Sequence, residues 1–187
     1  MKKTNLFLAA SALAVSTMMI SACGNKKAEE NNQDPNQETA QIVENVEVAP
    51  VPGINGTKYN ADFFNNEANK SETATDSTYA QTATGLKYVV VKEGTGKSPS
   101  ATDQVTVHYV GNLTNGTIFD SSIDRGEPTT FPLNRVIPGW TEGLQLMKEG
   151  GEVVFYIPSD LAYGPQGTPG IPPSSPLLFW VQLIQVN

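Results

Sequence analysis

The residues of this chain that could do chemistry are aromatic, and most of them stand beside turn signals in its second half. Tyr109 lies in VTVHYVG (105–111), Phe119 and Asp120 in GTIFDSS (116–122), Trp140 in VIPGWTEGL (136–144) and Tyr163 in IPSDLAYG (157–164), with GIPPSS (170–175) following. Large aromatic side chains normally pack in a core, but beside Gly and Pro turns they tend to rim a cavity. The chemistry open to such a set is noncovalent: a dry apolar concavity, with a few polar groups to orient whatever enters. Taken singly, Trp140, Tyr109 and Phe119 read equally well as core, and Asp120 as a turn cap. Packing and cavity lining are compatible, so both readings stand at this level.

The inventory excludes much else. The chain has one histidine, His108, and one cysteine, Cys23, so a His-based triad and a His/Cys metal site are ruled out. His108 alternates to the outer side of its segment and reads as a surface residue. No acidic cluster has calcium-loop spacing, and no glycine pattern has the spacing of a phosphate loop. No metal and no cofactor are expected. From residue 83 onward there are six Lys/Arg against nine Asp/Glu, without a basic stripe, which argues against nucleic acid.

The elements that must position the aromatic set are short. Segment 85–94 is a β-branched run ending in a turn. Segment 104–113 alternates, with Val105, Val107 and Tyr109 on one face. Asn115-Gly116 marks a turn before a short strand. A helix is expected over 136–151, with Trp140, Leu144 and Met147 on one side and Gly150-Gly151 as its stop. Residues 152–158 form a strand, 158–176 a Pro- and Gly-rich loop, and 177–186 a last strand with Leu177, Phe179, Val181 and Leu183 inward. Four or five antiparallel strands and one helix give an α+β domain. Trp180 falls on the other face of the last strand, and packing against residues 60–70 through Phe63 and Phe64 is the expected cover.

The first 22 residues read as a targeting segment. Lys2 and Lys3 precede an apolar run over 5–20 that is short for a membrane span, and Ile20-Ser21-Ala22 leads directly to Cys23. The arrangement resembles a bacterial lipoprotein cleavage site, which implies that Cys23 carries the lipid and anchors the mature chain to a membrane. Gly24, in place of Asp, points to the outer membrane. Residues 24–82 hold four Lys and ten Asp/Glu among polar residues. Composition predicts a flexible acidic tether over 23–82 and a folded domain over 83–187.

The strings VHYVG, FDSS, VIPGWTEGL, IPSDLAYG and IPP, in this order and spacing, resemble the FKBP-type peptidyl-prolyl cis/trans isomerase family from about Thr84 to Val186. The resemblance implies a curved antiparallel β-sheet wrapped around one short helix. It implies Trp140 as pocket floor, with Tyr109, Phe119, Phe131, Val136, Ile137 and Phe179 as walls. Tyr163 corresponds to a hydroxyl that bonds the bound chain, and Asp120 to a pocket-edge carboxylate engaged with Tyr109 and Arg125. Ile137 supplies a main-chain donor, and Ile171 lies on a loop overhanging the site. The chain departs from the pattern in having one Ile before Pro172-Pro173 and Thr168 where some members have histidine.

The implied partners are proline-containing exported polypeptides as they fold. A monomer is expected, because the long helical arm of some dimeric members has no counterpart here. Two classes of function remain open on the sequence: an isomerase, or a peptide-binding chaperone module that uses the same pocket with little catalysis.

Overall fold

Two ten-residue strands, β3 (Gln104–Leu113) and β7 (Leu177–Val186), pair antiparallel along nearly their whole length and form the spine of the molecule. The computed structural model describes residues 58–187. The expected targeting segment, the lipidated Cys23 and most of the tether lie outside the described residues. Among the described residues no helix is long and apolar enough to cross a membrane.

The remaining strands are β1 (Ala80–Gln81), β2 (Lys87–Lys92), β4 (Ile118–Ser121), β5 (Thr129–Pro132) and β6 (Glu152–Ile157). Together they make a seven-stranded sheet in the order β1-β2-β6-β7-β3-β4, with β5 on the same side of β3 as β4 but further along it. Every pairing is antiparallel. The sheet has more strands than the four or five expected. The two additions are a two-residue edge strand and the Pro-ended β5, both too short to register as periodicity.

Side-chain alternation gives the sheet two apolar faces. On the first, Val107, Phe155, Val181 and Leu183 pack with Trp140, Leu144 and Met147. These last three come from α2 (Pro138–Leu144) and the turn after it. The helix is half the length expected and stops well before Gly150-Gly151. Leu146 and Met147 donate in tight turns to Gly143 and Leu144. Gly150 then donates to Leu183 O at 2.7 Å, and Leu183 N returns a bond to Gly151 O. The strand therefore takes the backbone groups that a longer helix would have used.

The second face carries Val89, Val110, Val154, Leu178 and Trp180. Trp180 lies between Val110 and Val154 in the two flanking registers. Residues 58–82 cover it. This strap folds into α1 (Ala61–Asn65), whose first turn is capped by the Asn60 side chain accepting from Phe63 N, and then a 3₁₀ turn. Tyr59, Phe64 and Tyr79 are buried in the same cluster as Trp180, which is 5% exposed. Lys87 Nζ donates to Phe64 O at 2.6 Å while lying 5.1 Å from the Tyr79 ring centre and 5.6 Å from that of Tyr156. Residues 58–82, assigned by composition to the tether, are thus packed against the sheet. Composition averaged over 24–82 masks four aromatics gathered in its final 25 residues, and their partner surface exists only once the sheet has formed. His108 is also less exposed than expected: Nδ1 lies 3.0 Å from Ser122 Oγ and the residue is half-buried.

Candidate functional site

Trp140 is held against the sheet by the glycines around it. Pro138 occupies the first turn of α2, where its missing N–H costs nothing. A Cβ on Gly143 would come within 2.7 Å of the Phe155 ring, and one on Gly139 within 2.5 Å of Ile157 Cγ2. The helix therefore lies closer to the sheet than any side chain at these positions would allow. That approach sets the indole edge-on among three rings, with centroids 5.2 Å from Tyr109, 5.5 Å from Phe131 and 5.3 Å from Phe179. Phe119 meets Phe179 in the same edge-to-face manner at 5.5 Å. Both rings lean over Gly111, where a Cβ would meet them at 2.6–2.9 Å.

These rings enclose an open cavity of about 390 Å³. Trp140, Tyr109, Phe131 and Phe179 form its depth, Val136 and Ile137 one wall, and Phe119, Asp120, Tyr163 and Arg135 complete its lining. Tyr163 is 40% exposed, on a Gly/Pro loop.

A single polar knot sits at the edge. Tyr109 Oη donates to Asp120 Oδ2 at 2.6 Å. Arg125 donates through Nη1 to Asp120 Oδ1, and through Nη2 to Tyr109 Oη at 2.8 Å. Burial pushes the Tyr109 hydroxyl up to about 12, reinforced by its bond to the Asp120 carboxylate. Burial works against ionisation of Asp120, but the bonds from Tyr109 and Arg125 outweigh it and hold the carboxyl below its ordinary range. Tyr163 is raised by burial and by the nearby Asp120 charge.

None of Tyr109, Asp120 and Tyr163 therefore titrates near neutrality. Asp120 is ionised above its depressed value, and both phenols stay protonated until well into the alkaline range. The sign for stability follows: the Asp120 contribution is present above the ordinary carboxylate value and is lost as pH falls through the folded one. The Tyr109 contribution is complete below the ordinary phenol value and is lost as pH rises toward about 12. Any activity of this cavity is expected to be flat from about pH 5 to 9. A histidine-like inflection between about pH 6 and 7 in a rate profile would contradict this assignment of protons.

Nine of the residues singled out by sequence share the one cavity: Tyr109, Phe119, Asp120, Phe131, Val136, Ile137, Trp140, Tyr163 and Phe179. Arg125 does not line it; it braces Asp120 and Tyr109 from outside. Ile171 is not among the residues that line it. Reciprocal backbone bonds with Thr168, and positive φ at Gly167 and Gly170, turn the loop so that Ile171 is 5% exposed and packs into the core. It faces a separate shallow concavity with Leu113 and Thr168. Arg135 was not among the residues singled out, although its place directly before Val136-Ile137 could have flagged it. His108 lies outside the cavity. Among the described residues, no group of three or more His, Cys, Asp or Glu is arranged to hold a metal.

The family model described as FKBP-type peptidyl-prolyl cis-trans isomerase matches residues 95–184. The FkpA isomerase of Aeromonas hydrophila is 58% identical over 106 residues, covering 57% of this chain and 40% of that protein. FkpA of Escherichia coli K12 is 44% identical over 155 residues, covering 81% of this chain and 57% of that protein. The crystal structure of FkpA from Escherichia coli superposes with a TM-score of 0.58 at 50% identity, covering 58% of this chain and 51% of that one. The chain spans 40–57% of the length of these two curated relatives. The α+β architecture, with its antiparallel sheet and short helices, has the FKBP topology. On the strength of these matches and of the aromatic cavity they cover, the chain carries an FKBP-type peptidyl-prolyl cis-trans isomerase domain, homologous to that of the bacterial FkpA proteins.

Proposed function

We propose that this protein catalyses cis/trans isomerisation of X–Pro bonds in exported polypeptides as they fold, held at a membrane by a lipid on Cys23. The observation that carries the reading is the cavity itself. Four interlocked aromatic rings, Trp140, Tyr109, Phe131 and Phe179, leave room for a proline ring, and the one carboxylate beside them is already neutralised by Arg125.

The uncatalysed X–Pro bond crosses a barrier of about 20 kcal/mol in tens of seconds or longer. No bond is made or broken, so neither nucleophile nor metal is needed, only tighter binding of the twisted amide than of the planar one. Twisting abolishes the C–N resonance and its charge separation. A dry cavity disfavours the polar planar form and accepts the less polar twisted one. In this scheme Trp140 floors the proline ring, while Tyr109, Phe119, Phe131 and Phe179 exclude water. The Ile137 N–H and the Tyr163 hydroxyl hold the carbonyls of the flanking chain. Asp120, fixed by Tyr109 and Arg125, keeps the cavity edge in shape. The test is the isomerisation rate of a short X–Pro peptide with the purified chain, and a rate equal to the uncatalysed one would sink the proposal.

A further inference from the structure

Resting on the isomerase reading of the same cavity, we propose that Arg135 makes this site selective for X–Pro segments that carry an acidic residue beside the proline.

Two charged residues line the cavity, Asp120 and Arg135. The first is spent inside the protein, its carboxylate bound by Arg125 and by the Tyr109 hydroxyl. Arg135 is not. Among the described residues no carboxylate lies within ion-pair distance of it and no hydrogen bond engages its guanidinium. With Asp120 and Arg125 cancelling, the cavity rim carries one uncompensated positive charge, on a chain whose formal net charge is -7. This charge does not follow from overall composition; it is local, and it sits where a guest must pass.

The turn that carries Arg135 is anchored two residues before it, while the Arg135 side chain has no partner among the described residues. Arg135 ends the 3₁₀ turn Leu133–Arg135. Leu133 is fully buried, its N–H donates to Asp103 O at 2.9 Å, and its carbonyl accepts from Thr141 Oγ1 at 2.6 Å. The turn is thus pinned at its first residue, Leu133, both to the segment before β3 and to α2. Val136 and Ile137, the next two residues, are cavity wall, so a peptide with its proline over Trp140 must run past the base of Arg135. A guanidinium there offers paired N–H donors in the fork geometry that a carboxylate accepts. A lysine in the guest would meet it as a like charge.

The pair is rim-exposed, so its worth is that of a partly solvated ion pair and depends on salt. The expected preference of glutamate over glutamine is about threefold to fivefold in kcat/KM at low ionic strength, with lysine below glutamine by a similar factor. High salt compresses both ratios toward one.

The experiment compares Glu, Gln and Lys at the position before proline, and separately at the position after it, in otherwise identical peptides. It uses the full chain and its Arg135→Gln and Arg135→Glu variants. Each variant is judged by its own Glu-to-Gln ratio, so a general loss of activity does not affect the outcome. The ratio is expected to exceed one in the unaltered chain at one of the two positions, to approach one in Arg135→Gln, and to invert in Arg135→Glu. A ratio of one at both positions in the unaltered chain, or a preference that survives Arg135→Gln, overturns the proposal. Anisotropy of the same peptides, fluorescently labelled, gives binding ratios independently of turnover. If no peptide is isomerised the isomerase reading fails, while the binding ratios still decide the role of Arg135.

Discussion

Deletion of residues 58–82 is expected to lower the melting temperature of the domain by on the order of 10 °C and to shift Trp180 emission to the red. The strap buries one face of the sheet, where Val89, Val110, Val154, Leu178 and Trp180 lie. Each such side chain gains roughly 1.5–3 kcal/mol when fully buried. The strap adds the burial of its own Tyr59, Phe64 and Tyr79 and loses backbone entropy on docking, so its net contribution is a small difference between large opposing terms. The expected net docking free energy is a few kcal/mol, which is a large share of the ~5–15 kcal/mol that stabilises a typical domain. At about 3–5 °C per kcal/mol for a domain of this size, it is visible in a thermal melt.

Phe64→Ala gives a graded version of the same test. The cavity it leaves costs about 3–5 kcal/mol in a rigid core, but the loss here is capped at the docking free energy, since the strap can simply release. Deletion and point variant should therefore converge, and both should bind a hydrophobic dye through the uncovered face. Unchanged melting and unchanged Trp180 emission in the deletion would show that the strap contributes nothing. A practical consequence is that activity measurements belong on chains that retain residue 58 onward.

Trp140→Ala is expected to reduce kcat/KM on an X–Pro peptide about tenfold to a hundredfold. The indole is 4% exposed and touches three of the other rings, so in the proposed scheme its removal would deprive a bound proline of its floor and admit water. Losing roughly 1.5–3 kcal/mol of apolar contact corresponds to that range, at about 1.4 kcal/mol per tenfold. The same substitution also opens the core, at a cost of about 3–5 kcal/mol, and can unfold the domain. Trp140→Leu retains much of the volume and separates the two effects: near-native melting with slowed isomerisation is the expected pair. Tyr163→Phe provides a control without a packing cost, because the ring is 40% exposed and only a hydroxyl is removed. Its expected effect is about twofold to tenfold, the value of one hydrogen bond. Full activity in a folded Trp140→Leu chain would remove the indole from the mechanism.

The two central strands and β6 were legible because a strand with period two, repeated over six to ten residues, leaves a strong signal. Val105, Val107 and Tyr109 face the core as their alternation requires, and so do Phe155 and Phe179 across the sheet. Part of the aromatic set was legible for a different reason: Phe119, Trp140 and Tyr163 stand in short segments punctuated by turn signals. Three things were not legible. The helix stops at Leu144 because Gly150 and Gly151 bond to Leu183, a residue more than thirty positions away. The loop at 164–174 tucks Ile171 inward through glycine conformations that no periodicity encodes. And the strap was legible only at residues 60–70, expected to cover Trp180 through Phe63 and Phe64, while the rest of 58–82 looks like a polar linker until the face it covers is known.

Local composition and spacing were enough for the class of fold, for an aromatic-lined pocket, and for setting aside His- and Cys-based chemistry on inventory, while the full set of lining rings was what the FKBP resemblance implied. These are properties of residue type and short-range order, which act before the chain has any tertiary contact. Long-range pairing settled the rest. It brought Asp120 to Tyr109 across eleven residues and to Arg125 across five, leaving Arg135 as the one lining charge without a partner. It also gave Trp180 a cover that begins more than a hundred residues earlier in the chain. Which charges cancel and which apolar faces are covered depends on distance in space, and that distance is set only when β3 and β7 pair.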